Sequence, residues 1–158
     1  MDQNDGVVTV TRDVDASSQA VWDALADGWA YATWVVGASR VRDVDANWPA
    51  PDARIHHSFG LWPLLIDDTT VVERSVEPSA LVLTARGWPA GEARVSISIT
   101  PRGEGCTVRI EEDASSGPGK LVPQPLRQLA IGPRNVDALK RLAFLAEGRQ
   151  RNGERPPS

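Results

Sequence analysis

The sequence predicts an α+β domain: an antiparallel sheet of six to seven strands, two short helices after the first strand, and one long C-terminal helix. Three observations carry this. Residues 123–148 form the longest segment with helical periodicity, in which Leu126, Leu129, Val136, Leu139, Leu142, Ala143 and Ala146 recur three, four and seven apart. Residues 54–112 instead follow a two-residue alternation, broken at short intervals by turn chemistry. Between the opening strand and this run lies a Ser-led helical stretch rich in Trp.

Taken in order, residues 6–14 alternate Val8, Val10 and Val14 against Thr9, Thr11 and Asp13, which is the pattern of a strand with one buried face. Ser17 or Ser18 can cap a helix whose Val21, Trp22 and Leu25 share one side and which stops near Asp27-Gly28. A second short helix holds Trp29, Tyr31 and Trp34. Residues 40–45 make a further strand, and the following Asn-Trp-Pro-Ala-Pro-Asp-Ala segment is a turn, since its two prolines cannot donate to a ladder. Strands are then predicted over 54–60, 68–76 (Val72 and Val76 inward), 81–86, 93–100 (Val95, Ile97 and Ile99 inward) and 106–112. Their connections, among them Pro78-Ser79, Pro89-Ala90-Gly91 and Arg102-Gly103-Glu104-Gly105, are short enough to demand antiparallel hairpins.

Within the long helix, Pro133 cannot donate to the carbonyl of Leu129, so a kink or a fresh helix start is expected there, and a bent helix over a sheet leaves room for a small molecule. Residues 1–148 read as a single domain, and 149–158 as a polar, disordered tail.

A chain of 158 residues can remove about 70% of its unfolded surface from water and so enclose a substantial core. The net charge of -4, with acids and bases interspersed, leaves no basic stripe for nucleic acid. Cys106 is the only cysteine, which excludes an internal disulfide and a multi-cysteine zinc site and fits a reducing compartment. The first ten residues lack the basic and apolar regions of a signal peptide, and the longest uncharged run, 29–39, is too short for a bilayer. A cytoplasmic protein without stable membrane insertion is the resulting expectation.

The order of elements resembles the helix-grip fold of the START-like, or SRPBCC, superfamily, the polyketide cyclase/dehydrase and lipid transport family. The resemblance runs from Val7 to about Glu147 and rests on DASSQAVWDALAD, WPAPDARIHHSFGLWPLLIDDTTVVE, GEARVSISITPRGEGCTVRIEED and the helical close NVDALKRLAFLAEG. It implies a curved sheet wrapped around the C-terminal helix, with a hydrophobic or amphipathic molecule bound between them. Some members are implied to cyclise polyketides, some to carry lipids and some to contact other proteins.

Among residues that could carry chemistry, His56 and His57 are neighbours on one strand and so face opposite ways, which prevents them from chelating one ion. No metal or nucleotide cofactor is expected. His57 shares the apolar face of Ile55 and Phe59, as either a proton-transfer group or a hydrogen-bonded core histidine. Glu112 continues the face of Val108 and Ile110; if inside, it needs a partner such as His57, a helix-borne group like Arg127 or the ligand, and if the strand has already ended it is wet. Tyr31, Trp34, Trp62 and Trp88 offer flat apolar surfaces near a pocket backed by Leu129 and Val136. Three functions stay open: binding of a small hydrophobic or aromatic molecule, a cyclase or dehydratase using His57 and Glu112 as acid and base, and a protein-interaction module.

Overall fold

The computed structural model describes residues 7–36, 38–59, 66–87, 91–116, 121 and 124–154. Strand β1 (Val8–Val14) leads into α1 (Ser18–Ala26), a single 3-10 turn (Gly28–Ala30) and α2 (Tyr31–Trp34). Strands β2 (Ala38–Val44), β3 (Arg54–Phe59), β4 (Ile66–Val76), β5 (Ala80–Gly87), β6 (Gly91–Arg102) and β7 (Gly105–Ser116) follow, and α3 (Gln124–Glu154) closes the chain. Every pairing is antiparallel, in one seven-stranded sheet of order β1-β7-β6-β5-β4-β3-β2. The order follows from hairpins between sequential strands, with β1 returning to the free edge of β7. This is the α+β helix-grip arrangement.

Alternation places Val8, Val14, Ile55, Val72, Leu81, Leu83, Ile97, Ile99, Val108 and Ile110 on one buried face. Helix α3 covers that face with Ala138, Leu139, Leu142, Ala143 and Ala146, packing chiefly on β1, α1 and α2. Helix α1 begins where Ser17 Oγ accepts a hydrogen bond from the Ala20 amide at 3.1 Å, and it buries Val21, Trp22, Ala24 and Leu25. No described helix is long and apolar enough to cross a membrane.

Four sequence expectations need correction. Val76 is 40% exposed rather than inward. The β4–β5 register slips between Val72 and Arg74, so Glu73 is an extra residue that reverses the alternation after it. Leu129 and Val136 do not share the buried stripe of α3 and are 74% and 51% exposed. At 100° per residue Val136 and Leu129 lie only about 20° and 40° beyond the buried Ala143, at the edge of the buried arc, so helical spacing alone does not separate them from the residues that are covered. Pro133 lies inside one continuous helical span, so no fresh helix starts there; a single missing donor does not end a helix of 31 residues. Finally, residues 149–154 are helical rather than a disordered tail, because Arg149 pairs with Asp27 and Gln150 Oε1 accepts from the Ser17 amide at 2.8 Å.

Candidate functional site

Beneath α2, a polar cluster interrupts the apolar core. The turn ending α1 carries Tyr31 and Trp34 onto the buried face of the sheet, where their rings meet edge to face at 5.7 Å. His57 on β3 is 0% exposed, as its place between Ile55 and Phe59 in the alternation demands. His56 points the other way and lies 3.9 Å from Asp45. Opposite His57 across the β3–β4 ladder is Asp68, and the next inward position of β4 is Thr70. His57 Nε2 lies 2.8 Å from Thr70 Oγ1, and the Tyr31 hydroxyl lies 3.1 Å from the same oxygen. The imidazole also stacks on the Tyr31 ring, with centroids 5.4 Å apart and planes 17° from parallel.

Burial decides the protonation of this cluster. It pushes His57 down to about 4, against the pull of the Asp68 carboxylate, so the imidazole is neutral at neutral pH. It pushes the Tyr31 hydroxyl up to about 12, opposed by the Thr70 hydrogen bond, so the phenol keeps its proton. Tyr31 and His57 are thus an uncharged acid and an uncharged base joined through one hydroxyl. Thr70 was not singled out from sequence, although its alternation with Val72 is a signal that places it inward.

Strand β7 runs past residue 112, so Glu112 is inside, 7% exposed. Its Oε2 accepts a hydrogen bond from Arg134 Nη2 at 2.6 Å, which gives it a helix-borne partner. The hydrogen bonds of His57 and Glu112 thus run to Thr70 and Arg134 rather than to each other. Both members of the ion pair act electrostatically on Tyr31.

Along α3, Leu129, Gly132, Pro133, Val136, Asp137 and Lys140 line an open recess of about 550 Å³. Leu129 and Val136, sought from sequence as pocket walls, are both on it, whereas Tyr31 and Trp34 are buried in the core. Trp62 and Trp88 fall outside the described residues. Among the described residues, no group of three His, Cys, Asp or Glu is placed to hold a metal ion.

A seven-stranded antiparallel sheet closed by one C-terminal helix, with polar groups buried between them, narrows the choice of family. The sequence model for polyketide cyclase / dehydrase and lipid transport matches residues 5–147. The chain belongs to this family. Solved structures share the family's architecture at low identity, which establishes the fold alone. NE0264 from Nitrosomonas europaea superposes with a TM-score of 0.73 at 14% identity, over 95% of this chain and 99% of that one. The di-domain ARO/CYC StfQ from the steffimycin biosynthetic pathway gives 0.70 at 12% identity, over 94% of this chain and 53% of its own length. DynU16, from the dynemicin biosynthetic locus, gives 0.64 at 24% identity, over 90% of this chain and 48% of its own. A search of curated protein sequences gave no match.

Proposed function

We propose that this member of the polyketide cyclase/dehydrase and lipid transport family binds a small hydrophobic or aromatic molecule in an open recess along α3. The observation that carries the reading is the recess of about 550 Å³, a volume suited to a small molecule, with Leu129, Pro133 and Val136 presenting apolar surface to it. Large apolar side chains left in water on an otherwise charged helix gain from being covered, and a ligand of matching shape supplies the cover. The test is titration of intrinsic fluorescence, reported by six tryptophans, with a fatty acid, a flavonoid and an aromatic polyketide. Saturable quenching at micromolar concentration by at least one class is the expected result, weakened by Val136→Asp. A flat response to all three overturns the reading.

A second reading, a cyclase- or dehydratase-like enzyme using His57 and Glu112, is favoured by the Tyr31–Thr70–His57 chain. A neutral imidazole can take a proton from a carbon acid while a neutral phenol donates one to the developing oxygen, without metal or nucleotide. Glu112, tied to Arg134, would act on the charge of the ligand rather than through His57. Turnover of a poly-β-ketone mimic that is lost in His57→Gln while binding persists supports this reading; binding without turnover in the wild type rejects it.

A further inference from the structure

The two charged residues that line the recess, Asp137 and Lys140, are not in the same state. Asp137 is answered on its own helix, where its Oδ2 lies 2.9 Å from Arg141 Nη2. Among the described residues no carboxylate comes within ion-pair distance of Lys140. Its Nζ instead stands over the ring of Phe144, 5.9 Å from the centroid. A ring face attracts an ammonium without cancelling its charge, and it leaves most of the three N–H donors unspent. The next acid on this side of α3, Glu147, is seven residues further on, about 10 Å along the helix axis. The recess therefore keeps one unanswered positive charge.

Helix geometry says where that charge lies. Val136, Pro133 and Leu129 precede Lys140 by four, seven and eleven residues, so all three fall within about 40° of its direction around α3. All four line the recess, with Leu129 at its N-terminal end and Lys140 at its C-terminal end, about 16 Å apart along the axis. The methylene stem of the exposed lysine extends the apolar wall while its head stays at the rim. The result is an apolar strip with a single cation at one end.

This layout defines the charge of the molecule it suits. A cation would be repelled by Lys140, and a neutral apolar molecule would leave the ammonium unused. A phosphate or other multiply charged group calls for several donors, and the neighbouring Arg141 is already engaged by Asp137. One ammonium matches one carboxylate, and the Arg141 pair offsets the repulsion that Asp137 would exert on it. Resting on the small-molecule reading above, we propose that the recess selects an amphipathic carboxylate, an aliphatic or aromatic acid whose apolar body lies on Leu129, Pro133 and Val136 and whose carboxylate accepts a hydrogen bond from Lys140 Nζ.

Two matched pairs of probes test this on the full chain by calorimetric titration at low salt: decanoate against decanol, and 2-naphthoate against 2-naphthalenemethanol. Within each pair the skeleton is shared and only the acid is charged. The alcohol is the more easily dehydrated, so without a cation it binds at least as tightly. The wild type is expected to bind the acid of at least one pair roughly three- to fivefold more tightly than its alcohol, the scale of a partly exposed ion pair. That preference should fade in strong salt, a measurement that needs no variant. Lys140→Met keeps the apolar stem without the charge, and it is expected to bind the alcohol as before and the acid no better, with little change in melting temperature. The pair that responds identifies the skeleton as aliphatic or aromatic. Alcohols that match their acids in the wild type, or a preference for acid that survives Lys140→Met or strong salt, overturn the assignment while the binding reading stands. Binding of none of the four probes removes both.

Discussion

Arg134 on α3 and Glu112 on β7 meet at 2.6 Å, and through this bond the helix is fixed to the inner face of the sheet. The pair is lopsided, with the Glu112 side chain 9% exposed and the Arg134 side chain 42% exposed. Removing the arginine leaves a carboxylate inside without its counter-charge, which costs more than the net value of the pair.

Arg134→Ala is therefore expected to lower stability by about 2 kcal/mol, and adding Glu112→Gln to recover about half of the loss. Urea unfolding of the two single variants and the double variant gives the coupling directly. Additivity to within about 0.5 kcal/mol would show that the two groups do not depend on each other.

Acid should weaken the fold through His57. Its pKa is held at about 4 when folded and is near 6.5 when unfolded, so as pH falls the unfolded chain takes the proton first. The stability tied to the neutral imidazole is complete above about pH 6.5 and declines toward pH 4, by up to about 3 kcal/mol. A His56→Gln background leaves one imidazole to follow by NMR, and its midpoint is expected near 4 in the folded protein. A midpoint at 6 or above would mean that the ring is solvated.

Strand alternation made His57 and Glu112 readable as inward groups, since His57 is in phase with Ile55 and Glu112 with Val108 and Ile110, and these apolar residues are buried in the fold. A serine cap was legible for the same local reason, with Ser17 and Ser18 both open, and the structure uses Ser17, three residues ahead of the amide it binds. Val76 was not, because an extra residue in β4 leaves no mark on composition. The partner of Glu112 was also hidden. Helical spacing admits Arg127 and Arg134 as candidates two turns apart, and only the packing of α3 on the sheet chooses Arg134. The burial of Asn135 carries no signal in the sequence, since a helical pattern says nothing about whether a buried amide is met.

Alkali should act on Tyr31, the single tyrosine of the chain, whose ionisation can be followed alone in the tyrosinate absorbance band. A transition at about 12 is expected in place of one near 10. With the folded value raised, the stability tied to the protonated phenol is complete below pH 10 and is lost as pH rises toward 12, about 3 kcal/mol in all. The Thr70 hydrogen bond opposes the upward shift, so Thr70→Val should move the transition higher still. Ionisation near 10 in folded protein would mean that the phenol is wet.

The end of α3 offers a test in which the sequence pattern and the structure disagree. A disordered polar tail could be removed after Gly148 without consequence, yet Arg149 and Gln150, adjacent on α3, hold opposite ends of α1. Arg149 pairs with Asp27 at its C-cap, and Gln150 Oε1 accepts the Ser17 amide at its N-cap. Helix α1 spans nine residues, too short to persist without tertiary support, and it carries the chain into the turn that places Tyr31. Deleting residues 149–158 is expected to cost about 1–2 kcal/mol, the sum of a partly exposed ion pair and one hydrogen bond. Hydrogen exchange should quicken at the amides of α1 and leave those of β6 and β7 protected, because the loss begins at the α1–α3 contact. If the truncated chain instead matches the full one in urea midpoint and α1 exchange, the last turn of α3 does not restrain α1, and the position of Tyr31 must be set from the sheet side through Thr70 and His57.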